Sequence, residues 1–384
     1  MKTSKLSTRD WVRMGRHPAL APKGLSRLRR SAFPDDQSIL RSTFRYKIIQ
    51  KLGEGGSGRT FLAHEYDSLD TFRAVALKML HTPEDEALQE TFILEARLMR
   101  LMSHHNIVPV FGFERGTTRF QKLLSSLGIR EKCEAFMIME YIPGFNLYDF
   151  VRLHQQKQIR VYPLVAAYIA SRIARGVAYA HDFRHPGISA YGVIHRDITP
   201  SNVLIREDGP IKITDFGIAY PFDPGHRKPT LNGTLHYIAP ELLAGEKPAA
   251  TSDVYSIGLL LEWMLTGHPR YVVPDLVTSA TDVRMQLERI ARFQFDPKIL
   301  SGVPSRLVEI CRNASTALPA MRYQAASDLA LDLELFLRDS DCVLSPALME
   351  LYLDCVQSAL PGAYRKREFV MISGKETIDF KPYV

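Results

Sequence analysis

Within the stretch His195-Arg196-Asp197-Ile198-Thr199-Pro200-Ser201-Asn202, residue types and spacing are suited to chemistry at a phosphate. Asp197 is a carboxylate able to accept a proton from a substrate hydroxyl. Asn202, five residues on, has a carbonyl oxygen to offer a divalent cation that holds a nucleotide phosphate. Arg196 sets a cation beside the base. Asp215, in Asp215-Phe216-Gly217, is a second oxygen donor, and two such ligands plus phosphates suit Mg²⁺, which keeps several of its waters. A His-Arg-Asp triplet arises by chance in many proteins, so the reading depends on what surrounds it.

The surrounding segments have the form needed to position these groups. Tyr46 to Leu52 has strand character, Gly53-Glu54-Gly55-Gly56-Ser57-Gly58 turns, and Thr60 to Ala63 resumes as a strand. Glycines at Gly53, Gly55 and Gly58 let backbone amides approach phosphate oxygens, and strand residues after them argue for a flap rather than the helix of a dinucleotide fold. Ala74 to Leu80 is an apolar strand carrying Lys78. The next segment has Leu88, Phe92, Ala96 and Met99 at helical spacing, and Glu95 lies at the edge of that inward face. A Lys78–Glu95 ion pair would hold the lysine against nucleotide phosphates. Phe136 to Met139 is another apolar strand, and Glu140-Tyr141-Ile142-Pro143-Gly144 a linker whose Glu140 and Ile142 backbones are placed to read adenine. Beyond it the chain turns helical at Leu164 to Phe183, forms a hairpin over Val203 to Thr214, and returns to helix at Ser252 to Thr266, at Ala326 to Leu337 and at Ala347 to Ala359.

Composition bounds the rest. The 384 residues are 46% hydrophobic and 24% charged, as in an ordinary soluble protein. No apolar run approaches the roughly 18 residues of a membrane span; the richest, Ile257 to Leu265, is broken by Gly258 and Glu262. Basic residues near the start are followed by no apolar stretch, so no secretory signal is expected and the location read is cytoplasmic. Cys133, Cys311, Cys342 and Cys355 lack paired or Cys-x-x-Cys spacing and read as free thiols. Residues 1–47 carry 12 Lys plus Arg against 3 Asp, so the net +7 belongs to the N-terminal arm. That arm reads as solvated or self-docked rather than as a surface for nucleic acid or acidic partners, because it lacks interleaved aromatics.

Taken in order, these pieces resemble the eukaryotic-like protein kinases of the bacterial Ser/Thr branch over roughly residues 44–338. The resemblance rests on Gly53/Gly55/Gly58, Val75-Ala76-Leu77-Lys78, Glu95, the His195 to Asn202 loop, Asp215-Phe216-Gly217 and Ala239-Pro240-Glu241. It implies an α+β fold of two lobes, with a small antiparallel-sheet lobe containing one main helix (44–142) and a larger helical lobe (143–338). A flexible arm (1–43) precedes them, and a helical extension and tail (339–384) follow. It implies γ-phosphoryl transfer from Mg-ATP, with Mn²⁺ as the alternative metal, to Ser/Thr hydroxyls of proteins, the chain itself included through self-association. An ATP-binding pseudokinase scaffold is the alternative.

The resemblance further implies that Lys78 meets the phosphates and Glu95 holds Lys78, that Asp197 is the base, and that Asn202 and Asp215 hold the metal. Leu52, Thr60, Ala76, Met139, Leu204 and Thr214 would surround adenine. Met99, Val110, His195 and Phe216 would form a column anchored at Asp253, and Glu241 would pair with Arg322. Thr230 is the expected phosphorylation site answering Arg196, and Thr234 part of the substrate shelf at Asp197. Two departures stand out. Thr199 replaces the lysine that usually neutralises the transferring phosphoryl group, and Leu235 replaces the proline of Gly-Thr-Pro.

Overall fold

The computed structural model describes residues 39–41, 45–55, 58–80, 86–115, 135–185, 192–216, 236–271, 284–285, 288–290, 293, 295–340, 344–358, 369–373 and 376–380. Six strands form one sheet: β1 (Ile39–Arg41), β2 (Arg45–Gly55), β3 (Gly58–Tyr66), β4 (Phe72–Leu80), β5 (Val110–Arg115) and β6 (Ala135–Glu140). Their spatial order is β1-β2-β3-β4-β6-β5, every pairing antiparallel.

Period-2 alternation decides where the lysine goes. Val75, Leu77 and Met79 of β4 pack with Tyr46, Ile48, Phe61, Phe136 and Ile138 on one face. Ala76 and Lys78 therefore point to the other face, beside their cross-strand partners Met139 and Met137. That face is covered by α1 (Glu86–Leu101), whose Phe92, Glu95, Ala96 and Met99 are buried at spacings of three and four.

The second lobe is built on helices. It contains α2 (Leu147–Gln156), α3 (Pro163–His181), the short α4 (Pro240–Leu243), α5 (Ala250–Thr266), α6 (Ser305–Ala314), α7 (Ala326–Asp339) and α8 (Pro346–Ser358). Proline at N1 starts α3, where a missing N–H costs nothing, and Gly267 with φ of 77° closes α5 in the left-handed conformation. The α5 helix is buried along nearly its whole length, and Gly258 lets it approach α6, since a Cβ there would meet the Ala314–Ser315 backbone. A small sheet, β7 (Gly144–Asn146), β8 (Val203–Arg206) and β9 (Ile211–Ile213), lies on the cleft side. No helix of the described residues is long and apolar enough to cross a membrane, and Cys311 and Cys355 are free thiols.

Two stretches differ from expectation. The stretch expected to be a flexible arm holds β1, which pairs with Arg45 to Lys47, and the expected tail holds a hairpin of β10 (Phe369–Ser373) and β11 (Glu376–Phe380). Both have short apolar runs, Ile39-Leu40 and Phe369 to Ile372, that charge counting passes over.

The helix after the expected kinase boundary docks on the larger lobe. Met349, Tyr352, Leu353 and Val356 of α8 are buried, and Gly209 in the β8–β9 turn leaves room for the Pro346 carbonyl. The Tyr162 N–H donates to the Tyr352 hydroxyl (3.3 Å), which donates to His154 Nε2 (2.8 Å), while His154 Nδ1–H donates to the Phe150 carbonyl (2.8 Å). This chain requires a neutral imidazole. Burial pushes His154 down to about 4, whereas an unfolded histidine titrates near about 6.5. Between those values the unfolded chain binds more protons, so stability is complete above about pH 6.5 and falls as pH drops toward 4. His154→Gln should flatten that acid limb in urea melts run across this window. His104, also pushed down to about 4 by burial, retains its own share in the variant. An unchanged limb would show that His154 does not govern it.

Candidate active site

The β2–β3 hairpin lies over the cleft with Gly53 opposite Thr60 and Gly55 opposite Gly58. Gly58 is required by packing, because a Cβ would run into the Met79 carbonyl. Gly53 and Gly55 are not: a Cβ on either would meet no protein atom within 4 Å. Space held open over the cleft without a packing reason is what a phosphate cradle needs.

Lys78 is buried between two carboxylates, with Nζ 2.9 Å from Asp215 Oδ1 and 3.8 Å from Glu95 Oε1. Lys78 and Glu95 are each only 3% exposed. Burial alone would neutralise the lysine, but Asp215 and Glu95 outweigh it and keep the ammonium charged. Burial pushes the Glu95 carboxyl up, with Lys78 opposing.

The loop from His195 to Asn202 is held from below by α5. Asp253 accepts from the His195 N–H (2.8 Å) and the Arg196 N–H (2.9 Å). Arg196 and Asp215 have φ of 66° and 58°, a conformation that costs a non-glycine residue on the order of 1–3 kcal/mol and that accumulates at working sites. His195 packs at a tilt against Phe216 with ring centroids 4.4 Å apart, and Met99, Val110 and Phe216 share one apolar cluster. All four residues expected in the column are buried, and Asp253 holds the loop that carries His195.

Asn202 Nδ2 donates to both the Asp197 carbonyl and Asp197 Oδ2 at 2.9 Å, which orients the base. It also leaves the Asn202 amide oxygen for a cation. Asp197 Oδ1 is buried with no hydrogen-bond partner among the described residues, and burial raises the Asp197 carboxyl despite the opposing effects of His195 and Asn202. Among the described residues no group of three or more His, Cys, Asp or Glu could cage a metal. Asn202 and Asp215 therefore offer two hard oxygen donors and leave the remaining positions to water and phosphate, a donor set that fits a small divalent cation.

At the other end of the cleft, Ala76, Met139, Ile142 and Leu204 share one apolar cluster, while Leu52 is 40% exposed at the hairpin and Thr214 is buried beside the metal-site candidate. The Glu140 N–H donates to the Pro109 carbonyl (3.0 Å). Sequence reasoning missed the partners of the Glu140 side chain, Lys212 and Arg206 of the larger lobe. The one signal was a lone lysine between Ile211 and Ile213. Arg196 Nε is buried and has no partner among the described residues. Thr230 and Thr234, with Gly217, Gly233 and Leu235, lie outside the described residues. The expected Glu241–Arg322 pair forms at 2.7 Å.

Comparison with known proteins agrees with this geometry. Serine/threonine-protein kinase PrkC of Bacillus subtilis is 29% identical over 295 residues, which are 76% of this chain and 40% of that protein. Tyrosine-protein kinase MasK of Myxococcus xanthus is 29% identical over 298 residues, 77% of this chain and 42% of that protein. The chain therefore spans about 40% of the length of these relatives. The crystal structure of the Mycobacterium tuberculosis PknI kinase domain aligns with a TM-score of 0.52 at 20% identity, covering 78% of this chain and 98% of that one, and shows the two-lobed fold. The family profile described as the protein kinase domain matches residues 46–332, from the second residue of β2 into α7. Because that span takes in every element that positions the cleft, the chain belongs to the protein kinase family.

Proposed function

We propose that the chain transfers the γ-phosphoryl group of ATP to Ser and Thr hydroxyls of proteins, including its own, with residues 44–142 and 143–338 as the two lobes. The observation that carries this reading is Asp197, whose Oδ2 is fixed by Asn202 while the buried Oδ1 has no hydrogen-bond partner among the described residues. A carboxylate so held can take the proton of an acceptor hydroxyl as its oxygen attacks phosphorus. Lys78 binds the nucleotide phosphates as a point cation kept in place by Glu95. Mg²⁺, for which Mn²⁺ can substitute, supplies charge neutralisation at those phosphates when held by Asn202 and Asp215. Leu52, Thr60, Ala76, Met139, Leu204 and Thr214 enclose adenine, read by the Glu140 carbonyl and the Ile142 backbone. Arg196, whose Nε has no partner among the described residues, answers a phosphate on Thr230, and Thr234 belongs to the substrate shelf. A cytoplasmic location suits ATP use and free thiols.

The test is direct. Purified chain given labelled ATP and Mg²⁺ should label itself and a generic basic protein, with phosphoserine and phosphothreonine on hydrolysis. Label no higher than in an EDTA control would overturn the reading, and phosphotyrosine alone would overturn the acceptor class. Peptide mapping of the product places or excludes Thr230.

Thr199 is buried in the loop two residues after the base, where charge spreads in the transition state. Thr199→Lys should raise kcat by about threefold to tenfold, roughly 1 kcal/mol of barrier. Thermal melting read in parallel separates this from any cost of fitting the longer chain. An equal or lower kcat in a folded variant would mean that the missing cation is already compensated.

A further inference from the structure

We propose that Lys212 is a positioning residue for the nucleotide, acting through the Glu140 side chain on the backbone that reads adenine. The inference rests on the ATP-site reading above. Glu140 ends β6 and begins the connection between the lobes, yet its carboxylate reaches into the larger lobe. Lys212 Nζ lies 2.9 Å from Glu140 Oε2, and Arg206 Nη1 lies 3.5 Å from Oε1. The two contacts differ in kind: Arg206 donates a long hydrogen bond to Oε1, whereas Lys212 meets Oε2 as an ion pair outside hydrogen-bond geometry. Arg206 is taken up by Asp208, with both nitrogen–oxygen distances at 2.5 Å, whereas Lys212 is buried and its ion-pair partner among the described residues is Glu140.

The strand that carries Lys212 gives this tie its consequence. On either side of it, β9 bonds through the main chain to the loop that leads into β5. The Ile213 N–H donates to the Asn106 carbonyl (2.8 Å), the Val108 N–H donates to the Ile213 carbonyl (2.9 Å), and Asn106 Nδ2 donates to the Ile211 carbonyl (2.8 Å). Ile211 and Ile213 thus hold the smaller lobe at one point and Lys212 holds it at a second, the lobe connection. The same strand runs straight into Thr214 and Asp215, the phosphate end of the cleft. Its ion pair therefore fixes the distance between the atoms that read adenine and those that meet phosphate. With its N–H bound to the Pro109 carbonyl and its carboxylate held by Lys212, Glu140 is fixed at two points, which limits how far its own carbonyl can turn.

Lys212→Met, Lys212→Arg, Glu140→Gln and the double variant of Met and Gln are compared as full chains. Measured are KM for ATP, kcat, the Kd of a ribose-labelled fluorescent ATP analogue and the melting temperature. Lys212→Met and Glu140→Gln are each expected to raise KM and Kd about fivefold, with kcat falling less. The double variant should be no worse than either single one, as for two groups in one interaction, and Lys212→Arg should restore most of the affinity. KM and Kd within about twofold of wild type, even with a lower melting temperature, would overturn the proposal and leave the pair as a tie of the fold. Lys78→Met is run alongside. Wild-type transfer in that variant would refute the ATP-site reading itself, a result distinguishable from failure of the Lys212 proposal.

Discussion

Asp197→Asn is expected to lower kcat by about three orders of magnitude, roughly 4 kcal/mol of barrier, while the ATP dissociation constant stays within a few-fold. The substitution keeps size and removes the proton acceptor. Oδ2 of the native side chain accepts from Asn202 and Oδ1 has no hydrogen-bond partner among the described residues, so an amide in the same place offers a substrate hydroxyl either a weaker acceptor or an N–H. The residues proposed to enclose adenine lie at the other end of the cleft, which is why binding should survive. The pH dependence should carry the same signature. Burial raises the Asp197 carboxyl, and the base works only when deprotonated, so the acid limb of kcat/KM should lie at higher pH than an exposed aspartate would give. Steady-state kinetics at saturating ATP and Mg²⁺ measure both. A loss below tenfold would remove Asp197 from the role of base.

Arg322→Ala should cost about 3–5 kcal/mol of stability, a drop in melting temperature on the order of 10 °C. All five guanidinium N–H directions are used. Nη1 donates to Glu241 Oε1 (2.7 Å) and the Thr251 carbonyl (2.9 Å), Nη2 to Glu241 Oε2 (2.9 Å) and the Ala317 carbonyl (2.7 Å), and Nε to the Thr316 carbonyl (2.8 Å). The guanidinium also sits over the Tyr255 ring, 4.7 Å from its centroid. Burial works to raise the Glu241 carboxyl, and Arg322 outweighs it and holds it below the usual range. Removing the arginine leaves a buried carboxylate with Ser252 as its remaining side-chain donor and strands three carbonyls. Arg322→Lys should recover only part, since an ammonium has three donors without the planar fork. Replacing Glu241 and Arg322 together by apolar residues should cost less than Arg322→Ala, because no charge is left unpaired. Thermal melts of the three variants test the order, and an Arg322→Ala loss under about 1 kcal/mol would mean the site is solvated rather than sealed.

Much of the cleft was legible in the residues because its chemistry is local. Asp197 and Asn202 are five apart on one loop, the glycines share one hairpin tip, and β4 carries Lys78 on the parity opposite Val75 and Leu77. Helical spacing likewise put Glu95 beside the inward face of α1. The sequence alone therefore determined the fold family, the order of the parts and the candidates for the reacting groups.

Tertiary structure decided how those groups share their charges. Lys78 lies closer to Asp215 than to Glu95, Asp253 holds two backbone amides from 57 and 58 residues away, and Lys212 ties the lobe connection to β9. The docking of α8 through His154 and Tyr352 bridges 198 residues. Such pairs leave no periodic mark, because hydrophobic patterning reports which face of an element is buried but not which distant polar atom meets it there. Which donor a buried acceptor finds depends on the packing of several elements at once, and that arrangement exists only in the folded chain.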